Sequence, residues 1–189
     1  TKPIAGILHF IVYVGFIIIN IEVLEIVIDG ITGKHRVFAF LGGFYHFLIA
    51  AFEGLALLVL VACVIFLVRR NVLRIKRFFG KEMTAWPKTD ANLILITEIL
   101  LMSAFLIMNA VDAQLQTLGS EHYTQVGSFP ISRQIMGAFE GMSESSLIMI
   151  ERGAWWFHIV GIFAFLNYLP YSKHFHILLA FPNVFYSKL

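Results

Sequence analysis

Four long apolar runs separated by shorter polar stretches make up most of this chain, covering about residues 4–28, 37–68, 92–111 and 146–169. Each is near or above the roughly 20 residues that a helix needs to cross about 30 Å of hydrocarbon. The pattern predicts an all-α membrane protein, a bundle of four transmembrane helices in a single domain over 1–189. The longest polar stretch, 112–145, is broken by Gly127-Ser128-Phe129-Pro130. The weakly amphipathic spacing from Ile131 to Met142 then predicts a short helix lying along the outer interface. Ser143-Glu144-Ser145-Ser146 supplies a cap for the last helix, which enters the bilayer at Trp155-Trp156 as part of an aromatic belt.

Composition agrees with the pattern. At 59% hydrophobic and 15% aromatic residues, with mean hydropathy +0.81, the chain has too little polar surface to cover a soluble globule. Basic residues set the orientation. Arg69, Arg70, Arg74, Lys76, Arg77, Lys81 and Lys88 crowd one loop, and Lys2, Lys173 and Lys188 fall on the same side. That side is expected to be cytoplasmic, with both termini there. The opposite face is mixed, holding Lys34, Arg36, Arg133 and Arg152 among Asp29, Asp112, Glu121, Glu140, Glu144 and Glu151. The expected surroundings are membrane lipid, with no nucleic-acid partner. Cys63 is the single cysteine, so this chain alone builds neither a disulfide nor a cysteine-ligated cluster. Thr1-Lys2-Pro3 at one end and Ser187-Lys188-Leu189 just past an apolar stretch at the other read as the limits of a piece of something longer.

The chemistry suggested by the sequence lies in the histidines. His158 and His176 are eighteen residues apart, about 27 Å if helical, so they mark the two ends of a span. Imidazoles in a span are costly, and axial ligation of haem iron is a common use for them. A b-type haem takes two such nitrogens from facing helices, so depth must match within a pair. By depth, His9 pairs with His176 as ligands of an inner haem iron, and His46 pairs with His158 for an outer one. Taken singly, each histidine has a plainer reading as a hydrogen-bonding residue between helices. His174 is only two residues from His176, so it faces elsewhere. With Lys173 it is placed at the inner haem propionates or the lipid headgroups, as Arg152 is at the outer propionates. His35 and His122 read as loop residues in water. Gly15 and Gly42-Gly43 suit either a flat macrocycle or close helix packing. Among the carboxylates inside the spans, Glu53 is the candidate for proton handling, with Glu22, Glu25 and Glu98 behind it.

His158, Pro170 twelve residues later, the Pro170-Tyr171-Ser172-Lys173 turn, His176-Ile177 and Pro182 together resemble the haem-bearing end of the gamma subunit of respiratory nitrate reductases. That family is shared with the membrane subunits of heterodisulfide-reductase-like complexes. The resemblance covers about thirty-five residues, and His9 fits it loosely. It implies a dihaem cytochrome b of a bacterial or archaeal cytoplasmic membrane, exchanging electrons between a quinone pool and a cytoplasmic iron–sulfur domain or subunit. It also implies that His158 serves the outer haem and His176 the inner one, with His9 as the inner partner. The family carries a second histidine ten residues after the first, where this chain has Ile19. The outer haem's second ligand therefore falls to His46 by depth, or the outer haem is five-coordinate or absent. The competing functions are a haem-free anchor for a soluble enzyme and a proton-relay transporter subunit. No internal repeat of the kind common in transporters is found.

Overall fold

The computed structural model describes residues 3–73, 86–123, 125–172 and 175–187, and every regular element among them is helical. Four helices are long and apolar enough to cross a membrane: α1 (Pro3–Thr32), α2 (Gly43–Asn71), α3 (Trp86–Leu118) and α5 (Glu144–Tyr168). Two short ones, α4 (Ser132–Ile135) and α6 (His176–Tyr186), complete the set. The four-helix bundle expected from the apolar runs is the observed architecture.

Helix α3 is its centre. Across its most apolar stretch 61% of the residues are buried, against at most 33% for the other three spans. It packs on both α2 and α5, while α1 leans on α2 and barely touches α5. The apolar core consequently runs along α3, through Leu101, Met102, Phe105 and Met108, and meets Ile49, Phe52, Ala56 and Val59 of α2. The outer side faces of α1 and α5 keep large apolar residues such as Ile17, Leu24, Trp156 and Val160 exposed, as lipid contact requires.

Small residues set the closest approaches. A Cβ on Gly15 of α1 would stand 2.4 Å from Val59 Cγ2, and one on Gly161 of α5 would stand 2.6 Å from Leu101 Cδ2. Gly15 therefore serves helix packing, the second of its two sequence readings. Near the outer end, Gly30 lies against the Trp155 ring, where a Cβ would come within 2.8 Å.

One detail differs from the sequence expectation. The apolar run 37–68 is not one helix: a 3₁₀ turn at Val37–Leu41 ends at Gly42, whose φ of 58° turns the chain before α2 begins. The short outer helix is present as Ser132–Ile135, followed by a 3₁₀ turn at Met136–Phe139. Phe129 and Ser132 are buried, Ser132 Oγ donates to the Leu106 carbonyl at 3.1 Å, and the segment caps the outer mouth of the bundle. As the apolar run ending at 169 predicts, α5 stops at Tyr168, because Pro170 cannot continue it; a 3₁₀ turn (Leu169–Tyr171) and extended Ser172 follow. His158 and His176 thus belong to two helices rather than one. Ser143 does cap α5, accepting from Ser146 N at 3.3 Å. Much of the basic loop, including Arg74, Lys76, Arg77 and Lys81, lies outside the described residues.

Replacing Gly15 with Ala is expected to cost about 1–3 kcal/mol through overpacking against Val59. Thermal unfolding in detergent checks this, and Val59→Ala in the same chain should recover part of the loss.

Candidate functional site

His9 and His176 come together at the inner end of the bundle. The turn after α5 brings the start of α6 beside the first turns of α1, and the two imidazole rings stand with centroids 5.9 Å apart and planes 16° from parallel. Two imidazoles bound to one metal from opposite sides, each by a bond of about 2 Å, have centroids roughly 6 Å apart. The centroid spacing is close to that value, and the two near-parallel rings are stacked. Lys173 and His174, expected beside this pair, lie outside the described residues.

His158 is set differently. It is fully buried, and its Nδ1 lies 3.0 Å from the Leu101 carbonyl oxygen of α3. A carbonyl only accepts, so Nδ1 carries the proton and Nε2 is left as an acceptor. Nε2 is buried and has no partner. Leu101 is close to the middle of α3, so His158 lies level with the middle of that helix. It lines a cleft between α1 and α5, walled on the α1 side by Phe16, Ile19, Asn20 and Val23 and floored by Val59, Glu98, Leu101 and Met102. The cavity, open in part, is about 40 Å³.

The structure does not bring His46 to His158. His46 is exposed in the first turn of α2, and that helix reaches the His158 cleft only at Val59, thirteen residues and about 20 Å further along. The depth pairing counted His46 several residues inside a helix that starts at 37, whereas α2 starts at Gly43 and leaves His46 in its first turn. Ile19, the position where the resembling family has its second histidine, does face the cleft.

The outer third of the bundle holds a buried polar network that the sequence reading missed. Arg36, 6% exposed, sits in the left-handed region at φ 55° between α1 and the 3₁₀ turn. Its guanidinium donates to Asp112 Oδ2 (2.8 Å), Asn109 Oδ1 (2.8 Å) and Glu22 Oε1 (3.4 Å). Its own N–H and that of Val37 donate to the two oxygens of Asp29, each at 2.9 Å. Burial works against the cation, but the surrounding anions, led by Asp112, hold its pKa well above the ordinary value. His35 is not in water: its Nε2 lies 3.1 Å from Asp112 Oδ1. Glu25 accepts from Phe38 N and Tyr45 Oη, and Glu151 accepts from Tyr123 Oη. The signal was present in Glu22, Glu25 and Asp29, whose spacing of three and four puts all three on one face of α1.

Glu53, the proton-handling candidate, is fully buried within this network. It accepts from Asn109 Nδ2 (3.2 Å), Ile131 N (2.9 Å) and Ser132 N (3.2 Å), and so ties the outer cap to α2. Arg152 is half exposed and pairs with its neighbour Glu151 at 3.2 Å. Among the described residues no group of three or more metal-binding side chains occurs.

No family model matches the chain, and no solved structure does. Two curated proteins match along nearly its whole length. One is named "Probable iron-sulfur-binding oxidoreductase FadF", from Bacillus subtilis; it is 28% identical over 188 residues, or 98% of this chain and 24% of the relative. The other is named "EtfAB:quinone oxidoreductase", from Syntrophomonas wolfei; it is 24% identical over 196 residues, or 100% of this chain and 26% of the relative. The chain spans about a quarter of each. Both likenesses are to oxidoreductases, and neither name is that of a nitrate reductase or heterodisulfide reductase subunit.

Arg36→Met should destabilise the fold by about 3–5 kcal/mol, because it strands Asp112 and Glu22 as buried, uncompensated carboxylates. Thermal unfolding in detergent measures this, and adding Asp112→Asn should restore part of it.

Proposed function

We propose that this chain is the membrane electron-transfer domain of a quinone-linked oxidoreductase, holding a b-type haem between His9 and His176 near its inner face. The observation that carries this reading is the histidine pair, two imidazoles from different helices held at a spacing suited to opposite sides of one iron. Bound there, the haem would supply one-electron transfer. What the chain supplies is the pairing: α1 fixes His9, and the turn after Pro170 swings His176 to meet it. The exposed apolar faces of four long helices support residence in a membrane, and the cytoplasmic membrane of a bacterium or archaeon is the proposed one.

The names of the two relatives support the rest. One is called iron–sulfur-binding and the other a quinone oxidoreductase, and both extend far beyond this chain. The electron partner is proposed to be a cytoplasmic iron–sulfur domain or subunit, engaged on the side of His176 and the basic stretch between α2 and α3. The opposite redox partner is a quinone.

An outer haem has weaker support. His158 has the anchored Nδ1 that iron-bound histidines commonly show, but the facing wall of α1 offers Ile19 and Asn20, and His46 is about 20 Å away along α2. One haem per chain is therefore the expected count.

A reduced-minus-oxidised spectrum of the full-length protein, with haem quantified per polypeptide, tests the reading. The expected result is one b-type haem, lost in either His9→Ala or His176→Ala and retained in His46→Ala. A spectrum without haem would leave the anchor or transporter reading standing; two haems would restore His158 as an iron ligand.

A further inference from the structure

We propose that the cleft at His158 receives the head group of a quinol, with His158 Nε2 accepting a hydrogen bond from one ring hydroxyl. The proposal deepens the quinone-linked reading above and rests on it.

Three features converge. The first is an unsatisfied acceptor: Nε2 is buried without a partner, while the bond from Nδ1 to the Leu101 carbonyl holds the ring in place and fixes which nitrogen carries the proton. A buried acceptor left unpaired is costly, and a ligand that donates to it removes the cost. The second is the company it keeps. Glu98 of α3 lines the same cleft, is 7% exposed, and makes no hydrogen bond to any described residue. Asn20 of α1 lines it from the opposite side. An apolar recess with a few convergent polar groups is the usual form of a small-molecule site.

The third is access. His158 lies level with the middle of α3, and the cleft is partly open: its lining includes Asn20 of α1 and Leu166 of α5, both exposed on the surface of spanning helices that barely touch each other. What enters there comes from the lipid phase, so the ligand must be apolar over most of its surface yet carry a hydroxyl donor. A hydroquinone ring with an isoprenoid tail meets both conditions. The cavity of about 40 Å³ has room for the hydroxyl edge alone, so the ring and tail would lie toward the exposed part of the lining, at Leu166. Ile19 shapes the site by presenting an apolar side chain across from the imidazole, where a second nitrogen would have made a ligand pair.

The test is quinol binding to the detergent-solubilised full-length protein, titrated with decylubiquinol as a benzoquinol and menadiol as a naphthoquinol, with haem counted in parallel. His158→Phe is expected to weaken binding about tenfold, the worth of one buried hydrogen bond, and to leave the haem count unchanged. His158→Gln retains an acceptor and should stay within about threefold of the parent. Leu166→Trp keeps the histidine and narrows the mouth, so a comparable loss is expected without any change at His158. Unchanged affinity in both His158→Phe and Leu166→Trp would overturn the placement while leaving the quinone reading intact. A parent protein that binds neither quinol would overturn both. Loss of one of two haems in His158→Phe would instead assign the residue to iron.

Discussion

One buried cation organises the outer half of this bundle. Arg36 sits among carboxylates and a carboxamide from α1 and α3, in a position where an unpaired charge of either sign would be prohibitively costly. Its backbone is held as tightly as its side chain. Asp29 takes the N–H groups of residues 36 and 37, and Glu25 takes that of residue 38, so three successive donors of the connection from α1 to α2 are satisfied from α1 itself. A left-handed non-glycine residue is tolerated there because so many bonds determine it. The network reaches α2 and the outer cap through Asn109 and Glu53.

With the outer end tied, the rest of the bundle is free to part. α3 takes up most of the packing, and α1 and α5 barely touch. That separation creates the two places where chemistry is concentrated. At the inner end it leaves His9 of α1 to be met by His176 of α6. Level with the middle of α3 it leaves His158 facing a cleft with one nitrogen occupied and the other free.

Hydropathy alone made the architecture legible, since four apolar runs of spanning length admit few other folds. The inner histidine pair was legible too, because His9 and His176 are both near the same end and chain direction forces them together. His46 was misplaced for a definable reason: the apolar run from 37 reads as one helix, whereas a 3₁₀ turn occupies its first residues and α2 starts only at Gly43. The Arg36 network was missed because Lys34, His35 and Arg36 resemble an ordinary polar loop. Composition does not reveal that Asp112 and Asn109, more than seventy residues away, fold over them. The Gly15 contact with Val59 was left open between two uses, and only the position of α2 decides between them.

Trp155 gives the arrangement a boundary. Its ring lies on Gly30 near the outer end of α1, fills the space between α1 and α5 there, and borders the polar cavity that contains Arg36 and Asp112. The indole is thus both a wall of that cavity and the spacer that sets how closely the two helices approach. Any residue larger than glycine at position 30 would push the ring aside and open the cavity from that side.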